Sequence, residues 1–228
     1  MLDRFLEWSP NWGIEASLVL VVLIALEAVL SADNAIALAS IARRLEDEQL
    51  QRQALNVGLL VAYGLRIALI FTATWVIHFW QFELAGALYL LWLVFQYFTT
   101  EEDEEHEHHS PRFKSLWAAV PTIAFTDLAF SLDSVTTAIA ISDRLWLVIA
   151  GGTIGVIALR FLAGLFMRWL EIFSHLEDAG YVTVGLVGLR LLLRVVAPTI
   201  VPPQWALLSA IAVLFVWGFS ERREEASE

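Results

Sequence analysis

Residues Glu27–Ala37 read E-A-V-L-S-A-D-N-A-I-A, and one hundred positions later Asp127–Thr137 read D-L-A-F-S-L-D-S-V-T-T. Each stretch opens on an acid, places a serine four residues on and a second acid six on, and follows it with a small polar residue. The likeness continues downstream. Gly58 precedes Arg66 by eight residues, Gly152 precedes Arg160 by eight, and the next segments open near Gly86 and Gly180. The chain therefore reads as a duplication, and both copies of the motif sit in sequence that is otherwise almost free of charge.

Segments of about 20 mostly apolar residues are long enough to cross a bilayer, and they recur near 14–42, 54–79, 84–99, 116–141, 145–167, 179–197 and 204–220. Charged stretches separate them at 43–53 and 100–115, and Pro198, Pro202 and Pro203 separate the last pair. Tryptophans near predicted span ends (Trp12, Trp80, Trp117, Trp146, Trp169, Trp205) suit interfacial anchors. The expected fold is all-α, a single polytopic membrane domain over 1–228 with about seven transmembrane helices. The first three-helix repeat covers 14–99, an acidic loop 100–115, the second repeat 116–197 and a seventh helix 204–220. Three crossings per copy bring the second copy in from the opposite face. Such inverted repeats, meeting near the midplane around a substrate, recur in secondary transporters.

Composition agrees. The 228 residues are 58% hydrophobic and 17% charged, against about 25% charged in a typical soluble chain, which argues against a soluble enzyme. A net charge of −11 gives nucleic acid no electrostatic footprint. The absence of cysteine excludes thiolate metal sites, iron–sulfur clusters and catalytic thiols. The n-region with Asp3, Arg4 and Glu7 is not basic and the apolar stretch is too long for a signal-peptide core, so the first segment reads as a retained helix. With seven spans, Arg43, Arg44, Arg52, Arg112, Lys114, Arg168, Arg222 and Arg223 fall on one side, and Arg4 and Arg144 on the other. The positive-inside rule then places the N-terminus outside and the C-terminus in the cytoplasm.

Four carboxylates lie within predicted spans: Glu27, Asp33, Asp127 and Asp133. Each costs about 2.5–3.5 kcal/mol at a lipid-facing helix centre, so they must face the interior, paired or solvated. Glu27, Ser31 and Asn34 form one stripe of a helix, and Asp127, Ser131 and Ser134 form its counterpart. The second acid of each pair lies about 120° away around a regular helix. Either the helix loosens around the motif, or the two acids serve different purposes. Arg66 and Arg160 are the expected partners, leaving −2 if all six groups are ionised. Carboxylates, hydroxyls, an amide and backbone carbonyls make a hard oxygen set that suits Mn²⁺, Mg²⁺ or Ca²⁺ better than copper or zinc. The alternative is a set of buried salt bridges that fixes helix packing.

Other charges have plainer readings. Glu101–His109 holds six acids and three histidines; it reads as a solvated connection, or as a collecting patch for divalent cations through His106, His108 and His109. His78 and His175 lie at predicted helix ends, and Arg190 and Arg194 are expected to snorkel to the headgroups. Lys114 is the only lysine and lies in a loop, so a retinal Schiff base is excluded. No G-x-G-D setting marks an intramembrane aspartyl protease, and no P-loop is present. No enzymatic activity and no cofactor are expected.

The segments Glu27–Asn34 and Thr126–Ser134, with Gly151–Glu171 as a following helix, resemble the signature segments of the TerC family of integral membrane proteins. The likeness covers about residues 15–220. It implies a fold related to the LysE-type exporters and, as in several members, Mn²⁺ efflux. By position it implies that Glu27, Asp33, Asn34, Asp127, Asp133 and Ser134 line a metal site. Thr136-Thr137 and Arg190 depart from residues common in the family. The resulting expectation is an exporter of Mn²⁺ or a similar divalent cation in a bacterial cytoplasmic membrane, driven by proton exchange. Ser31, Ser131, Arg66 and Arg160 would support the site. The partners would be the metal ion, the lipid bilayer and a second copy of the chain. Two alternatives stand: an exporter of a small organic solute such as an amino acid, and a non-transporting factor for membrane-protein assembly.

Overall fold

The computed structural model describes residues 14–76, 78–101, 115–142 and 144–222. Among them are seven α-helices: α1 (Ile14–Arg43), α2 (Glu48–Val76), α3 (Trp80–Glu101), α4 (Leu116–Ile141), α5 (Leu145–Ile172), α6 (Leu176–Val196) and α7 (Gln204–Gly218), with a 3₁₀ turn at Pro198–Ile200 before α7. Helices α2 to α6 are long and apolar enough to cross a membrane, and α7 is a shorter apolar helix. This is the all-α architecture of a polytopic membrane protein. The acidic loop with His106, His108 and His109 lies outside the described residues, as does Trp12.

Helix boundaries follow local chemistry. Pro198 bars the helical conformation to the residue before it, and Ala197 sits at φ −144°, ψ 69°, ending α6. At the end of α1, Arg44 and Leu45 donate their N–H groups to Ile41 and Ala42 in the tighter i→i−3 pattern (3.3 and 3.1 Å), which satisfies terminal carbonyls. The helices α2 and α5 outrun the apolar segments that mark them, reaching back to Glu48 and on to Ile172. Their extra turns are polar or amphipathic, with Arg52, Arg168 and Glu171 exposed.

Pairing runs across the chain, not along it. The first helix packs most extensively on α5, α2 on α4, and α3 on α6. Exchanging the first three helices for the next three turns the α1–α5 pair into the α4–α2 pair and leaves α3–α6 unchanged.

Glycines make these crossings close. Lipid tails are as apolar as side chains, so membrane helices associate through tight packing at small residues. A Cβ on Gly58 would lie 2.6 Å from the Ile123 side chain, and one on Gly151 would lie 3.2 Å from Leu23 Cβ. Leu23 and Ile123 stand one hundred positions apart, each four residues before the first acid of its motif. Gly86 against Leu132 and Gly180 against Ile36 form a second matching pair, both at 2.9 Å. No described glycine has a positive φ, so these glycines serve close approach and not turns.

The outer surface is a belt of exposed apolar side chains that includes Leu60, Phe95, Phe161 and Val213. Trp80, Trp117, Trp146 and Trp205 are exposed in the first turns of their helices. Trp169 differs from its expected role as an anchor: its ring meets Phe166 and Phe219 edge-on, each at 5.3 Å. It is half-buried, packed against the residue that follows α7.

Candidate functional site

The first acids of the two motifs meet at one arginine. Arg66 on α2 donates through Nη1 to Glu27 Oε1 on α1, and through Nη2 to Asp127 on α4, at 3.3 Å to Oδ1 and 3.4 Å to Oδ2. Asn34 Nδ2 donates to Asp127 Oδ1 at 2.8 Å. Ser131 Oγ lies 2.7 Å from the Asp127 carbonyl and 3.3 Å from Oδ2. Burial is nearly complete: Asp127 is 0% exposed, Arg66 3% and Glu27 8%. Two carboxylates and one guanidinium leave this centre one charge negative when all are ionised.

The local fold explains why three charges are tolerated there. Glu27 lies 13 residues into α1 and Asp127 11 residues into α4, each about 17–20 Å along its helix and so near the helix midpoint. Gly155 on α5 leaves the space the Glu27 side chain fills. A Cβ there would overlap Glu27 Cγ and stand 2.9 Å from its Cδ. Beside the pair runs a narrow cleft of about 10 Å³, lined by Leu23, Glu27, Arg66, Ser134, Gly151 and Gly152 among others. That is room for one water-sized species.

Helix α4 stays regular through the motif, so its second acid points elsewhere. Asp133 accepts from Arg190 Nη1 at 2.7 Å and Arg194 Nη2 at 2.5 Å, both on α6. Arg194 also lies 3.8 Å from Glu83 at the start of α3. The two acids of the second motif thus serve two separate charge clusters, as the 120° offset requires. Arg190 and Arg194 do not snorkel outward. Their side chains are 12% and 28% exposed and lock α6 to α4. Asp133→Asn takes the carboxylate from Arg190 and leaves Arg194 with only the longer contact to Glu83, and is expected to cost about 2 kcal/mol. Arg194→Gln leaves Arg190 in place and costs less. Thermal unfolding in detergent orders the two variants.

The sequence motifs predicted much of this centre. Glu27, Asn34, Asp127, Ser131 and Arg66 come together as bonded partners, Ser134 lines the cleft beside them, and Ser31 is buried on α1. Arg160, expected to join the acids, does not: its Nε donates to Asn56 Oδ1 at 2.5 Å, because one guanidinium already serves both first acids. Asp33 lies in α1, and its side chain is outside the described residues. His175 stacks on Trp217 at a ring separation of 5.0 Å and reaches Glu221 at 3.2 Å, away from the centre. The pairing of Asp133 with α6 had one signal in the sequence: the i, i+4 arginines supply the two positive charges that the four acids lacked. Among the described residues, no three Asp, Glu or His side chains converge as a ready-made metal cage.

Residues 12–225 match the family described as Integral membrane protein TerC family. The chain is 35% identical over 188 residues to the uncharacterized membrane protein YceF of Bacillus subtilis, covering 79% of this chain and 71% of that protein. It is 33% identical to YkoY of the same organism, covering 81% of this chain and 62% of that protein. With the inner membrane protein YgdQ of Escherichia coli K12 it shares 31% identity, over 82% of this chain and 83% of that protein. No solved structure matches. With residues 12–225 matched and the two acidic motifs meeting at one buried arginine, the chain belongs to the TerC family of integral membrane proteins.

Proposed function

We propose that this protein exports a hard divalent cation, Mn²⁺ first among them, across a bacterial cytoplasmic membrane in exchange for protons. The observation that carries the reading is the buried meeting of Glu27 and Asp127, the first acids of two motifs one hundred residues apart, on the single cation Arg66. The helices α1 and α7 join α2–α6 as spans, giving seven, with the N-terminus outside and the C-terminus in the cytoplasm. The α1–α5 and α2–α4 pairing and the matched glycines support two inverted three-helix repeats.

In this reading Arg66 offsets one of the two negative charges between passages. A cation arriving at the centre displaces the guanidinium and takes oxygens from Glu27, Asp127, Asn34, Ser131 and Ser134. Asp33 and Asp133, the second acids of the two motifs, are assigned to the path that leads to this centre. Protonation of the carboxylates then weakens the oxygen cage, releases the ion and restores the arginine bridge. One repeat rocking against the other alternates the access. The narrowness of the cleft favours an ion over an amino acid as cargo.

Proteoliposome flux tests this directly. Wild type is expected to move Mn²⁺ in the direction opposite to protons running down an imposed gradient, and Asp33→Asn, Asp127→Asn and Asp133→Asn each reduce flux at least about tenfold while folded protein is retained. Amino acids do not compete. Well-folded wild type that moves neither Mn²⁺, Mg²⁺ nor Ca²⁺ overturns the exporter reading. The buried charges would then be structural bridges of an assembly factor.

A further inference from the structure

The arginine that the acids leave aside points to a second site. Between the first turns of α2 and the C-terminal half of α5 lies an open cleft of about 680 Å³, lined by Arg52, Arg160 and Arg168 with Glu48 and Glu171. Three guanidinium groups against two carboxylates give it an excess of one positive charge. Arg160, Gly164 and Arg168 fall at i, i+4 and i+8, a single stripe of α5. Gly164 opens the middle of that stripe, where a Cβ would sit 3.2 Å from Arg160 Nη1.

Arg160 lies 12 residues before the end of α5, about 18 Å along the helix, and so within the depth of a leaflet. Among the described residues its side chain bonds only to the neutral Asn56, and no described carboxylate is within ion-pair distance of it or of Arg168. A guanidinium at that depth without a counter-charge is costly. Beside the polar stripe runs an apolar one, Phe161 and Leu165, 76% and 37% exposed and part of the same cleft. A free anion uses only the first stripe. An amphiphile uses both.

We propose that this cleft binds an anionic phospholipid, its phosphate held by Arg160 and Arg168 and its acyl chain laid along Phe161 and Leu165. Arg52 adds a third contact, since its exposed 3.5 Å pair with Glu48 holds it only weakly. Basic pockets between membrane helices are a known setting for such headgroups. The inference is independent of what the protein transports, because it uses none of the buried acids.

The test measures lipid binding to the full chain purified in detergent, by native mass spectrometry with phosphatidylglycerol, phosphatidylcholine and inorganic phosphate as separate probes. Phosphatidylglycerol is expected to bind at least about fivefold more tightly than phosphatidylcholine, on the scale of one interfacial arginine contact. Arg160→Gln and the exposed Arg168→Gln should each bring the two lipids to within twofold, and inorganic phosphate alone should not bind detectably. Equal binding of the two lipids overturns the proposal, as does a preference that survives both substitutions. Phosphate binding as tight as that of phosphatidylglycerol replaces the lipid with a soluble anion. If Arg160→Gln does not fold, Arg168→Gln decides the matter alone.

Discussion

Arg66→Met removes about 3–5 kcal/mol of stability, the cost of leaving buried carboxylates without their cation. Glu27 and Asp127 both lose their only charged partner among the described residues. What remains for Asp127 is Asn34 and Ser131, and for Glu27 the apolar wall around Gly155. Thermal unfolding in detergent, followed by tryptophan fluorescence, reads the loss. The combined variant Glu27→Gln, Arg66→Met, Asp127→Asn recovers most of it, since replacing a whole buried ion set by neutral groups is often close to neutral. The contrast between single and triple variants is the signature. An Arg66→Met protein within 1 kcal/mol of wild type would mean that the bridge is not formed.

Gly155→Ala is the second large effect, about 2–3 kcal/mol for one methyl group. The added Cβ would overlap Glu27 Cγ and lie 3.0 Å from Oε1. Two responses are open to the protein. Either Glu27 swings off Arg66, or α5 backs away from α1 along their whole contact. Overpacking alone costs about 1–3 kcal/mol, and the disturbed ion pair adds to it. Gly64 is the control, for a Cβ there meets nothing within 4 Å. Gly64→Ala should stabilise by about 0.5–1 kcal/mol through helix propensity alone. Shortening the opposing side chain in Gly155→Ala, Glu27→Ser should restore helix packing. Equal effects at Gly155 and Gly64 would show that the crossing is looser than the contact requires.

How much of this was legible in the sequence divides along a physical line. Apolar length fixes where a membrane helix sits, and the segment read at 116–141 coincides with α4 (Leu116–Ile141). The duplicated motif placed Glu27, Asn34, Asp127 and Ser131 on facing stripes, because helical periodicity is a local property. The partner of a charge near a span end is not local. Arg190 and Arg194 are as able to reach the headgroups as to turn inward, and the nearness of α4 with Asp133 decides between them. The same holds for Arg160, which has the spacing of Arg66 and a different neighbour. Gly155 carries no chemistry of its own, and its role appears only when Glu27 is laid against it. Trp169 marks a helix end in the sequence, yet its ring is half-buried against Phe219 in the folded chain.

The crosswise pairing of helices has a consequence for the order in which the protein is made. The ribosome delivers α1, α2 and α3 before any of the surfaces they pack against in α4, α5 and α6 exist. Until then the faces around Leu23, Ile36 and Gly58 meet lipid or an insertion chaperone in place of their partners. Glu27 is spared the worst of this wait, because Arg66 emerges in the same half and supplies its counter-charge. Asp133 is provided for in the same way, since Arg190 and Arg194 follow it in the second half. Asp127, unlike Glu27 and Asp133, must look backward for its cation, to a helix already in the bilayer. Its bridge to Arg66 is therefore the step that joins an early half to a late one.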